Sequence, residues 1–198
     1  MLLSLSRKFI FVANLKSASS SIEQALAPYA EFRVTKTEWG KHDTLTMISK
    51  KFPWVKRYVP YSDFFVFGVI REPVDFILSL YNFHTDDDFA GLIQSSKGVP
   101  FDEFWRGWCT RSWQTRDQHL RFVDKHENFR MNYLMDFAEL KKEFPKICAR
   151  IGVDAKLGQT NKSATVLSRK DLTPEQIAAI KERYAEDYAL LANRPQEL

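Results

Sequence analysis

A chain of 198 residues with 44% hydrophobic and 14% aromatic side chains, 16 Phe and 5 Trp among them, can bury a full core as one domain spanning 1–198. Its 29 Lys and Arg against 25 Asp and Glu leave a net charge of +4, compatible with an anionic ligand but without the dense basic stripe of a nucleic-acid binder; Arg106, Arg111, Arg116 and Arg121 come closest. No apolar run approaches the roughly 20 residues of a membrane span, the N-terminus does not read as a signal peptide, and Cys109 and Cys148 fall in separate apolar helical patterns that read as buried free thiols; a soluble, cytoplasmic protein is expected.

The first apolar run, Phe9 to Ala13, predicts a buried strand. It leads into Asn14-Leu15-Lys16-Ser17-Ala18-Ser19-Ser20-Ser21 and then a helix with Ile22, Ala25, Leu26 and Tyr29 on one face, where Ser20 and Glu23 read as a capping box and Pro28 ends or bends the helix. Phe32 to Thr37 reads as a further strand, and Thr44 to Lys51 as a short helix stopped before Pro53. Phe64 to Ile70 is apolar without a break, as a strand covered on both faces requires. Arg71-Glu72-Pro73 follows, with Pro73 suited to the first position of a helix that carries Val74, Ile77, Leu78 and Tyr81 on one face.

Residues 83–100 are polar and loop-like. Phe101, Phe104, Trp105 and Trp108 mark a helix, 111–128 is basic without a clear period, and Arg130 to Leu134 reads as a strand. A helical stripe from Phe137 to Ile151, with Pro145 expected to kink it, ends at Gly152. Thr173-Pro174-Glu175-Gln176 opens a last helix whose face runs from Ile177 to Leu191. Apolar strands alternating with amphipathic helices predict an α/β fold, a central parallel sheet flanked by helices.

Two strand-to-helix junctions carry anion-binding residue types. Lys16 and the hydroxyls of Ser17, Ser19, Ser20 and Ser21 stand where a helix begins, and its unpaired N–H groups and dipole favour a phosphate or sulfate. Arg71 stands at the carboxyl end of the second strand, where open α/β sheets bind ligands, with Ser79 about two turns into the helix. The plainer alternatives are a solvated lysine, a simple serine N-cap, and an ion pair of Arg71 with Glu72 or Asp75. Asp86-Asp87-Asp88 reads as a solvated acidic loop, since no second cluster with ligand spacing accompanies it.

These segments resemble the sulfotransferases that use PAPS (3′-phosphoadenosine 5′-phosphosulfate), whose fold is similar to that of P-loop NTPases. Lys16 to Ser21 resembles their 5′-phosphosulfate loop, and Arg71 with Ser79 their 3′-phosphate motif. Gly40-Lys41-His42-Asp43-Thr44, Asn161-Lys162-Ser163, and Leu172 through Tyr188 resemble the carbohydrate branch, Golgi-type and bacterial. The chain departs from the family pattern at Leu15 and Ser19, where proline and glycine are usual, and at Asp136-Phe137-Ala138, where Arg-Phe-Glu is common.

The resemblance implies a PAPS-binding set of Lys16, Ser17, Ala18, Ser19, Ser20, Ser21, Arg71, Ser79 and Lys162, with no metal. Lys16 would neutralise charge on the departing phosphate, and His42 would deprotonate the acceptor hydroxyl, with His84 as a rival base. The acceptor is expected to be a carbohydrate or other alcohol, met by His42, Arg111, Trp113, Arg116 and His119, with Trp105, Trp108 and Arg121 nearby. A nucleotide kinase or ATPase shares the strand–loop–helix logic, but the glycines of its phosphate loop are missing here. A non-catalytic nucleotide-binding protein of the same fold is the other alternative.

Overall fold

In the computed structural model, which describes residues 1–35, 41–158 and 164–198, five strands form one sheet in the order β3-β1-β2-β4-β5. They are β1 (Leu2–Ser4), β2 (Phe9–Val12), β3 (Phe32–Arg33), β4 (Phe65–Ile70) and β5 (Tyr133–Asp136). β2, β4 and β5 run parallel, with Phe9 opposite Phe65 and Phe67 opposite Tyr133. β1 and β3 are antiparallel additions at one edge. The sheet is therefore mixed around a parallel core, not parallel throughout. β1 is too short to carry a period, and Lys8, in the left-handed region at φ 51°, turns the chain from it into β2.

The helices are α1 (Ser19–Leu26), α2 (Leu45–Lys51), α3 (Pro73–His84), α4 (Phe101–Arg106), α5 (Trp108–Arg111), α6 (Leu140–Ile151), α7 (Pro174–Arg183) and α8 (Ala185–Ala192). The strand pleat sends alternate side chains to opposite faces. Phe9, Phe11, Phe65 and Phe67 meet Ile22 and Leu26 of α1 and Phe144 and Ile147 of α6. Ile10, Val12, Val66 and Ile70 meet Leu45 and Ile48 of α2, together with Phe122 and Phe129. Both faces are dry, which is why β2 and β4 read as unbroken apolar runs. Each such side chain contributes about 1.5–3 kcal/mol on burial. A third cluster packs α3 against α4, α5 and α7 through Ile77, Tyr81, Phe104, Ile180 and Tyr184.

Several elements differ from expectation for identifiable reasons. The aromatic helix breaks at Gly107, where a Cβ would stand 2.7 Å from the Glu103 carbonyl. The last helix, opened by the expected Thr173–Gln176 capping box, divides at Tyr184, whose buried hydroxyl donates to the Thr115 carbonyl at 2.6 Å. β5 starts later than expected. Asn132 replaces a strand residue ahead of it, its Oδ1 accepting from the Val66 N–H at 2.8 Å. α6 continues through Pro145 and ends at Gly152 with φ 68°. Among the described residues no helix is long and apolar enough to cross a membrane.

Candidate active site

Parallel pairing brings the carboxyl ends of β2 and β4 side by side. Asn14, just past β2, ties them together. Its Nδ2 donates to the Val69 carbonyl at 3.1 Å and to Gln118 Oε1 at 2.7 Å, and its Oδ1 accepts from the Leu15 N–H at 2.9 Å. Gln118 in turn holds both backbone groups of Arg71, accepting from its N–H at 3.1 Å and donating to its carbonyl at 2.7 Å. Asp187 on α8 anchors this segment by accepting from the N–H groups of Gln118 and His119 at 2.9 and 2.8 Å. Gln118 and Asp187 were not legible as site residues. The available signals were a polar glutamine in an aperiodic stretch and, for Asp187, its place in the Leu172–Tyr188 stretch that resembles the family.

The loop after β2 is held in an uncommon backbone shape. Lys16 and Ala18 occupy the left-handed region at φ 52° and 59°, so the demand for conformational freedom falls on them and not on Ser19, the first residue of α1. The expected capping box is absent: Ala18 is the N-cap and supplies no side-chain bond. Glu23 is instead buried against the backbone nitrogen of Met1 and the Lys41 ammonium, the latter at 2.6 Å. Lys41 also donates to Ser20 Oγ at 2.9 Å, and Ser17 Oγ donates to the Asn14 carbonyl at 2.9 Å. Ser19 and Ser21 lie buried in the first turn of α1.

Lys16 is half-buried, its ammonium 3.8 Å from the centre of the Phe83 ring. Burial, and then the nearby Arg71 charge, push its pKa down to about 8. Arg71 donates from Nη1 to the Lys16 carbonyl at 2.8 Å, and its guanidinium stacks 4.3 Å from the centre of Phe137. Among the described residues it makes no ion pair. Glu72 accepts instead from Arg169 at 2.6 Å and from the Tyr188 hydroxyl. Among the described residues Arg71 Nε is buried with no hydrogen-bond partner. Ser79 is half-buried on α3.

His42 approaches the end of β2, with Nδ1 3.1 Å from the Ala13 carbonyl. A carbonyl can only accept, so the proton sits on Nδ1 and Nε2 carries the free lone pair. Burial lowers the His42 pKa to about 4, partly offset by that carbonyl and reinforced by Arg121 and Lys41. Arg121 Nη1 donates to the His42 carbonyl at 2.7 Å, and its guanidinium lies 5.8 Å from the centre of Trp113. The Arg116 charge bears on Arg121 as well.

His42, Trp113 and Arg116 thus gather around Arg121, which is buried and so holds the His42 loop instead of facing solvent. His119 is tied to Asp187, Nδ1 to Oδ1 at 3.2 Å. Arg111 stands apart, its exposed side chain donating to the Gly107 carbonyl at 3.3 Å. Trp105 and Trp108 stack on Phe101 and Phe104 and pack, half-buried, against the α3–α4 cluster. Lys162, with Asn161 and Ser163, lies outside the described residues, as do Thr37 and Gly40.

No curated protein matches the chain by sequence. Among solved structures it is similar to a sulfotransferase from Alicyclobacillus acidocaldarius, at 15% identity and a TM-score of 0.45 over 96% of each chain. The model of the sulfotransferase family matches residues 4–192, nearly the whole length. The chain belongs to the sulfotransferase family.

Proposed function

We propose that this sulfotransferase takes its sulfuryl group from PAPS and passes it to a hydroxyl of a carbohydrate or other alcohol. The observation that carries this reading is the union of the two anion-binding loops, with Arg71 donating to the Lys16 carbonyl at 2.8 Å. One nucleotide with phosphates at both ends can then meet both loops. The residues fit such a ligand: among the described residues Arg71 Nε is buried without a partner, and Lys16 lies two residues ahead of Ala18, the N-cap of α1, with its ammonium on the Phe83 ring. Lys16 and residues Ser17 to Ser21 would hold the 5′-phosphosulfate, and Arg71 and Ser79 the 3′-phosphate. Lys162 belongs to the same proposed set. PAPS when bound supplies the sulfuryl group: the acceptor O–S bond forms as the S–O bond to the 5′-phosphate breaks, with the electron pair staying on phosphate.

This chain's residues manage the charges. His42 Nε2 receives the hydroxyl proton, and Lys16 offsets negative charge as it collects on the phosphate oxygen. A preorganised charge of that kind lowers the barrier by about 3–4 kcal/mol. Transfer of labelled sulfate from PAPS to a panel of alcohols tests the reading. Lys16→Ala and His42→Ala are expected to lower kcat by about 10²–10³-fold. Competition by ATP with Mg²⁺ and none by adenosine 3′,5′-bisphosphate would reject it in favour of a kinase. Nucleotide binding without turnover of any acceptor would reject it in favour of a binding role.

A further inference from the structure

His84, the last residue of α3, is fully buried. Its ring is enclosed by Phe83, Phe89 and Trp108, with centroids 5.5, 4.9 and 4.6 Å away. Neither ring nitrogen makes a hydrogen bond among the described residues. An imidazole carries one donor and one acceptor when neutral, and leaving both unmet in the interior is costly and rare. A phenyl ring would serve the packing as well without that cost. His84 also adjoins the reacting end of the proposed site. The Lys16 ammonium rests over Phe83, the preceding residue, and its charge bears on the imidazole. The Gln114 side chain approaches too, without closing a hydrogen bond of normal geometry.

We propose that the His84 imidazole binds a hydroxyl of the acceptor beside Lys16, and that the acceptor lays an apolar face on Phe83 and Phe89. This rests on the sulfuryl-transfer reading given above. A hydroxyl can either donate to the bare ring nitrogen or accept from the protonated one, so it meets one of the two unpaired nitrogens in either tautomer. The charge nearest the ring, that of Lys16, is committed to the 5′-phosphosulfate in the proposed function, so a neutral hydroxyl and not a second anion is the expected occupant. Phe83 is 37% exposed at the edge of the ring cage, and the loop beyond it exposes the carboxylates of Asp86, Asp87 and Asp88 together with Leu92 and Ile93, so the apolar contact offered to an acceptor is that of Phe83 and Phe89. Reaching the ring requires the side chain of Phe83 or Phe89 to turn aside. His84 orients the acceptor, and the proton still goes to His42.

The test uses the full chain and the variants His84→Phe and His84→Asn. Transfer from PAPS is measured with an aryl alcohol, a pyranoside and glycerol, alongside calorimetric binding of adenosine 3′,5′-bisphosphate. His84→Phe is expected to keep nucleotide affinity within about twofold while kcat/KM for the acceptor falls about 10–100-fold, mostly through KM. His84→Asn, which retains a donor and an acceptor, should recover part of the loss. Should His84→Phe fail to fold, His84→Leu poses the same question. Unchanged acceptor kinetics in a folded apolar variant would overturn the proposal, leaving the ring as packing satisfied by water alone. So would loss of nucleotide binding in His84→Phe, or glycerol serving as well as the two acceptors with an apolar face. A wild-type chain that neither binds the nucleotide nor transfers sulfate defeats the function reading itself, which is a separate result.

Discussion

Lys16 and His42 are both pushed away from the charged form by burial, and this sets a pH profile. Lys16, at about 8, is protonated below that value and loses its ammonium above it. His42, at about 4, is neutral above that value and cannot take a proton below it. The kcat/KM of the free enzyme is therefore expected to hold between about pH 4 and pH 8 and to fall on either side. Solvated side chains would have given limbs near 6.5 and 10.5 instead. Lys16→Arg should remove the alkaline limb, and an alkaline limb that persists in that variant would discount the assignment. The loop geometry yields a second expectation at this scale. Ala18 holds φ 59°, where a Cβ is penalised, so Ala18→Gly should stabilise the fold by about 0.5–1 kcal/mol in urea unfolding. Both residues were legible as a loop signal. Their left-handed backbone was not, because alanine and lysine do not announce it as glycine would.

At the scale of elements, β4 carries one residue without a side chain, and the structure shows why. A Cβ on Gly68 would stand 2.7 Å from Phe122 Cε1 and 3.3 Å from the Val12 carbonyl. Phe122 packs against the sheet there, in the same stretch that delivers Gln118 and Arg121 to the site. Gly68→Ala is expected to cost about 1–3 kcal/mol and to weaken nucleotide binding by shifting that stretch. Normal stability and affinity in the variant would show that Phe122 can move freely. Long apolar or amphipathic runs such as β4, α3 and α6 were readable because each repeats its pattern over several residues. β1 and the 3₁₀ turns of 111–128 were not, since each is shorter than the period that would reveal it. Tyr184 looked like one more face residue of a continuous helix, and only its bond to Thr115 marks the break.

Across the whole molecule, one buried polar network joins three distant parts of the chain. Gln118 links Asn14 after β2, Arg71 after β4 and Asp187 on α8. Gln118→Leu would leave the Arg71 carbonyl and the Asn14 amide short of partners, each worth about 1–3 kcal/mol when buried. The variant is expected to lose stability to that extent in denaturant unfolding. It should also bind adenosine 3′,5′-bisphosphate at least tenfold more weakly, since both loops lose a common anchor. Weakened stability with intact affinity would mean that the two loops hold their spacing without it.

By itself the sequence determined the strand-to-helix junctions, the two loops at their ends, and the family, because these depend on residue types at short, fixed spacings. Tertiary structure alone decided which faces meet and which polar groups are satisfied. It removed Ser20 from a capping role, turned Arg121 inward to the His42 loop, packed Trp105 and Trp108 half-buried against the α3–α4 cluster, and left His84 buried with no hydrogen bond among the described residues. The reason is physical. A hydrogen-bond partner or a dry neighbour is set by segments tens of residues away, such as residues 14, 71, 118 and 187, and no local pattern records that distance.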